Sequence, residues 1–369
     1  MTETNRLVRS IVAGTVALSV IACGTVSPTA SPGPTPTTPS SSSLPGESPP
    51  TPTPSPAPTG TIPAPLDGVV VPAELATRLP LAIMIDDNVV ARPQAGFNAA
   101  SIVYQAPADG GEDRYMLVFQ EGDATTVGPV RSGRPYFVRW VTEYRAAFGH
   151  FGGDTKTLAY LPTINGSLLY DVNGITYGGT AYHRISSRKA PHNAYTDTVT
   201  FRRVAERLGA LETMVAGLPV RPFVEDMAIA DRPATASMTI PYNRGSSGYV
   251  YDRATNAYLR SVAGQPQLDA ADGKRVTARN VVVLFMRLSI DPESEPGYAR
   301  PVLDQIGSGQ ALVFREGHVW VGTWRKDDVS GLTRLIDADG KEISLVRGRI
   351  FIQVVSTNTT VKYDAVPGT

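Results

Sequence analysis

The residues best suited to chemistry fall between positions 86 and 193. Asp86 and Asp87 close an apolar run, and Arg92 follows them in a Pro-Gln turn. Asp109-Gly-Gly-Glu-Asp-Arg114 is a charged loop, Arg131 and Arg134 flank Ser132-Gly133, and His150 precedes Phe-Gly-Gly-Asp154. Arg184, Arg188, His192 and Asn193 share one stretch that lacks strong secondary-structure signals. Two kinds of chemistry suit this set. Arginine forks recognise anions through paired hydrogen bonds. Arg92, Arg114, Arg131, Arg134, Arg188, His192 and Asn193 are therefore candidates to line a polar site for an anionic or glycan ligand. A carboxylate beside an imidazole can move a proton. If the protein is an enzyme, a hydrolase or transferase on cell-wall polymer, Asp86 or Asp154 would act with His150 or His192. The non-enzymatic binding module is the preferred reading. The simpler fate of Arg131 and Arg134 is an internal ion pair with Asp86, Asp87 or Glu112.

Other chemistries are weaker or excluded. A His/His/Asp metal site from His150, His192 and an aspartate matches no metal-ligand spacing such as HExxH, so hydrogen-bonding histidines are expected instead. Ser132 is not in a G-x-S-x-G elbow. Asp337-Ala-Asp-Gly340 begins like a calcium loop but lacks the later ligands, which makes it a hairpin turn. Trp320 and Trp324 sit four apart on a strand and share a face, as a sugar-stacking platform or as packing against the other domain. Zero net charge and no basic stripe argue against nucleic acid. No cofactor or metal is called for.

The single cysteine, Cys23, explains itself through the residues before it. Arg6 and Arg9 precede the apolar stretch 10–22, which is too short for a permanent span. It ends in Val20-Ile21-Ala22-Cys23-Gly24, a bacterial lipobox in which the Cys23 thiol takes a diacylglycerol carrying palmitate-type chains. Two or three acyl chains give stable anchoring where one does not, so the protein is expected on the extracytoplasmic face of the cell membrane. Cell-wall polymer or an envelope protein is the expected partner there. Residues 24–66 are Pro, Thr, Ser and Gly with hardly a charge, which marks a disordered tether. Extended, it would reach on the order of 100 Å.

The elements that must position the candidate residues follow from local pattern. The runs 79–85, 100–106 and 114–120 have strand length. Phe137, Trp140, Val141 and Tyr144 give helical spacing over 134–148, and 196–209 begins with a capping residue and ends at Gly209. Farther on, 249–261, 268–276, 313–326 and 335–345 alternate around Asn, Asp or Gly turns as hairpins do, while 279–288 and 349–356 read as buried strands. The fold class is α+β. A mixed α/β N-terminal domain is expected at 67–215, a linker at 216–234 and a β-rich C-terminal domain at 235–369.

Several of these segments carry a resemblance. PLAIMIDDNVVARPQAG (80–96), ASIVYQAPADGGEDRYMLVFQ (100–120), VGPVRSGRPYF (127–137), HFGGD (150–154) and APHNAYT (190–196) occur in the order seen in YerB-like lipoproteins. In the second half, YDRATNAYLR, ARNVVVLF, VFREGHVWVGTW and DADGKEISL resemble the C-terminal part of the same family, a domain of unknown function. The resemblance implies a lipoprotein and carries no biochemical activity with it. Where the family usually has Glu, this chain has Gln105.

Overall fold

Three of the expected strand runs build the centre of the molecule: β1 (Leu81–Asp86), β2 (Ile102–Pro107) and β3 (Asp113–Phe119). They are buried almost throughout, as strands covered on both faces must be. The computed structural model describes residues 60–368, so the lipobox, Cys23 and the tether up to residue 59 lie outside the described residues. The helix expected over 134–148 is shorter. Pro135 opens α1 (Pro135–Val141), the chain leaves helical geometry by Arg145 (φ 52°), and Ala147 and Phe148 enter β4 (Ala147–His150). Buried aromatics fit a helix, a turn and a strand equally well, and pairing with β1 decides for the strand. Next comes α2 (Thr155–Ile164), which apolar spacing does not announce. Asp154 caps it by accepting from the Thr157 N–H at 2.8 Å. β5 (Tyr170–Asn173) and α3 (Thr198–Arg207) complete this half; α3 has the expected stop at Gly209 (φ 90°), while its cap is Asp197, one residue past the Thr196 at which the expected segment begins.

The second half begins with an antiparallel meander, β6 (Ser237–Tyr242), β7 (Gly245–Asp252) and β8 (Ala257–Val262). β9 (Asn280–Met286) follows, then the hairpin β10 (Leu288–Ile290) and β11 (Pro301–Leu303). β12 (Gly307–Arg315) and β13 (His318–Lys326) are joined by Glu316 and Gly317, both left-handed at φ 53° and 75°, the geometry that matches strand twist in a two-residue hairpin. β14 (Arg334–Ile336) and β15 (Ile350–Ser356) end the series.

The main sheet runs β14-β13-β12-β9-β15-β2-β3-β1-β4-β5. β15 lies parallel to β9 on one side and to β2 on the other, with Ile350 opposite Ile102 and Gln353 opposite Gln105. One hydrogen-bonded sheet therefore passes through both parts of the chain. The stretch expected as a linker is held too: Phe223–Val224 pairs with Leu345–Val346, and Arg221 is buried. At the other end, residues expected in the tether belong to the fold. Thr61–Pro63 pairs with Val70–Pro72, and Ala64 and Leu66 are buried, apolar surface that offsets the cost of ordering them.

The helices α1 and α2 cover one face of the sheet, where Phe137, Trp140 and Leu161 meet Met84, Tyr104 and Met116. The meander and α3 cover the other, placing Ile240, Tyr249, Tyr258 and Phe201 against Val103, Leu117 and Phe351. The class is the expected α+β, rich in strand. No described helix is long and apolar enough to cross a membrane.

Candidate functional site

β1 delivers Asp86 to the carboxyl end of the sheet, where ligands gather in α/β folds. There Asp86 Oδ1 accepts from the Asn88 N–H at 3.0 Å, which turns the chain. The segment 128–134 crosses this end because the Arg131 N–H donates to Met84 O (3.1 Å). Arg131 Nε consequently lies 3.5 Å from Asp86 Oδ2, and His192 Nδ1 lies 2.5 Å from the same oxygen. Asp86, Arg131 and His192 meet. The Asp86 side chain is nearly buried, whereas that of His192 is 20% exposed and its Nε2 makes no hydrogen bond among the described residues.

Most of the other candidate cations are taken up by the protein itself. Arg92 donates to Asp87 Oδ1 through Nε (3.1 Å) and Nη2 (2.9 Å), and Gln94 adds a third bond there at 3.1 Å. Burial nevertheless pushes the Asp87 carboxyl up. Asp113 is pushed well above the usual range, first by burial and then by the charge of Asp87. Arg188 donates to Ala91 O, Pro93 O and the Tyr195 hydroxyl. Arg114 is buried and donates to Ser132 O at 3.0 Å; burial, then neighbouring Arg134, bring it down to about 10. Arg134 binds Asp109 through Nε (2.8 Å) and lies 3.6 Å from Asp154. Asn193 is a turn residue, accepting from Arg184 at 2.6 Å and donating to Ile185 O at 3.1 Å. The expected single pocket lined by these residues therefore does not form. Burying guanidinium groups without acceptors is costly, and the fold supplies the acceptors.

The acid–base quartet divides as well. His150 is fully buried, stacked on Phe148, with Nδ1 2.7 Å from Gly152 O and Nε2 2.7 Å from Asp171 Oδ1. Asp171 escaped sequence reasoning, since nothing in Tyr-Asp-Val-Asn distinguishes it. Asp154 serves α2 as its cap. With the two histidines in separate pairs, the His/His/Asp metal reading fails; no described trio of His, Cys, Asp or Glu is placed to hold a metal ion. The tryptophan platform fails too. Trp324 is buried, donating to Phe285 O at 2.8 Å, and Trp320 lies under the Arg315 guanidinium at 4.1 Å. Asp337 accepts from the Asp339 and Lys341 N–H groups and closes the expected hairpin turn.

Between the sheet and the meander runs a sealed polar seam. Arg260, wholly buried, donates to the Tyr249 hydroxyl, Ser247 Oγ (2.8 Å) and Gln105 Oε1 (2.6 Å). Gln105 turns its amide nitrogen toward Asp87 Oδ2 at 3.5 Å. An amide at position 105 can accept from Arg260 while facing a carboxylate, which a second carboxylate would repel.

A cavity of about 440 Å³ opens elsewhere, between α1 and α2 on one side and the segment 291–303 on the other. Its walls are Pro135, Tyr136, Tyr160, Pro301, Val302, Leu303 and Val329, with Arg134, Arg139, Asp154, Lys156, Asp291 and Arg300 at intervals. Volume and lining suit a small ligand with an apolar body. Lys156 holds Asp291 at 2.8 Å across the opening, and the Gly110 N–H donates to Ala299 O at 3.0 Å. Of the residues singled out from sequence, Arg134 and Asp154 line this cavity. Its two walls lie more than a hundred positions apart along the chain, so no local signal marks it.

Residues 66–211 and 238–352 match the N-terminal and C-terminal domains of the family described as "Protein of unknown function (DUF3048)". The chain is 29% identical over 299 residues to a Bacillus subtilis (strain 168) protein named "Putative lipoprotein YerB", covering 79% of this chain and 86% of that one. The crystal structure of the YerB protein from Bacillus subtilis resembles it with a TM-score of 0.70 at 26% identity, covering 81% of this chain and 99% of the other.

Proposed function

The chain belongs to the DUF3048 family, both of whose domains it carries in order, and from that premise we propose that it is a lipid-anchored binding protein of the bacterial cell envelope. The name of the Bacillus relative and the Val20-Ile21-Ala22-Cys23 lipobox support the anchor, on the extracytoplasmic face of the cell membrane. The observation that carries the binding function is the 440 Å³ cavity walled by both halves of the chain. Its apolar lining favours a compact ligand over an extended glycan. Two measurements test the reading. Labelling with a palmitate analogue should mark the protein and be lost in Cys23→Ala, with release from the membrane; an unchanged membrane fraction would refute the anchor. In a small-molecule screen, hits should shift resonances of the cavity walls and be lost in Val302→Trp, which fills the space.

One observation favours a second reading, an envelope hydrolase or transferase. Asp86 and partly exposed His192 are 2.5 Å apart, and Nε2 of His192, which makes no hydrogen bond among the described residues, is placed to act as a proton-transfer group. Turnover of a cell-wall fragment that disappears in His192→Gln and survives Val302→Trp would move the function to that pair.

A further inference from the structure

The cavity carries unbalanced charge. Its two carboxylates are neutralised within the protein: Asp154 caps α2 and faces Arg134, and Asp291 is held by Lys156. Three of its four cations are likewise engaged, Arg134 with Asp109, Lys156 with Asp291 and Glu293, and Arg300 with Glu295 at 3.3 Å. Arg139 is the exception, with no acidic partner and no side-chain hydrogen bond among the described residues. It occupies the last turn of α1, beside the apolar walls supplied by Tyr136 and Leu303. A half-buried guanidinium left over in a largely apolar cleft is a receptor for one anionic group, offering a fork of donors and a charge already partly stripped of water.

Resting on the binding function proposed above, we infer that the ligand is an amphipathic anion with one acidic head group, a carboxylate or phosphate monoester, on an aliphatic or aromatic body, and that this head group pairs with Arg139. The apolar body lies along Tyr136, Val302 and Leu303.

Titration calorimetry on the purified full chain tests this with octanoate, octyl phosphate and the neutral analogue octanamide. Both anions should bind on the order of tenfold more tightly than octanamide, the discrimination one charge-assisted hydrogen bond supplies. Arg139→Gln should remove that difference while leaving octanamide binding intact, and Arg139→Lys should restore part of it. A preference for octyl phosphate over octanoate, or the reverse, assigns the head group. Equal affinity for anions and amide, or a preference that survives Arg139→Gln, overturns the inference and leaves the cavity as a neutral binding site. If none of the three binds, or if binding survives Val302→Trp, the cavity reading falls and the inference with it.

Discussion

Two carboxylate–imidazole pairs stand at the same end of one sheet and are built for different ends. His150 is fully buried, and both its ring nitrogens face acceptors, Gly152 O and Asp171. His192 faces Asp86 through Nδ1, keeps Nε2 open and reaches solvent. The first pair behaves as a clamp, tying the turn after β4 to β5. The second holds one nitrogen and leaves the other for a proton or a ligand. The presence of a carboxylate beside a histidine thus decides little; what the second nitrogen touches decides the role. The arginines repeat the lesson, since Arg134, just before α1, is taken up by Asp109, while Arg139, in the last turn of α1, has no acidic partner among the described residues.

The sharpest way to break this contrast is to remove each imidazole. His150→Ala leaves a cavity and an unpaired Asp171, and should cost about 2–4 kcal/mol in denaturant unfolding. A loss no larger than that of a surface substitution would mean that the clamp is not structural. The next largest effect belongs to another closed constellation, the carboxyl pair Asp67–Glu121. Burial, then the charge of Glu121, pushes Asp67 up to about 8. A raised acid keeps its proton in the folded state after the unfolded chain has lost it, so its contribution is present at low pH and is lost as pH rises from about 4 to about 8. The unfolding midpoint should fall across that window, and Asp67→Asn should flatten the slope. A smaller change is expected for His192→Ala, on the order of 1 kcal/mol or less, because the pair is part-exposed. Diethyl pyrocarbonate gives the finest discrimination, with no change in stability required. On the native protein it should modify His192 and spare His150, and equal modification would erase the contrast between the two pairs.

Much of the framework was legible in the residues. The runs at 79–85, 100–106 and 114–120 became β1 to β3, Gly209 stops α3, and Glu316-Gly317 turns the β12–β13 hairpin. Each is set by residues within a few positions of one another, where backbone preference and apolar periodicity act directly. The helix over 134–148 failed because Ala147 and Phe148 answer to β1 rather than to their own neighbours.

By itself, then, the sequence determined the strands and turns, the α+β class, the family motifs in their order and the lipobox around Cys23. Tertiary structure alone decided that β15 joins β2, that His192 meets Asp86 across 106 positions, that His150 belongs to Asp171, and that Arg139 is the lining cation left without an acid among the described residues. The reason is physical. Local geometry is a property of neighbours in the chain, whereas whether a charge is spent or available depends on every acceptor the folded sheet brings within reach of it.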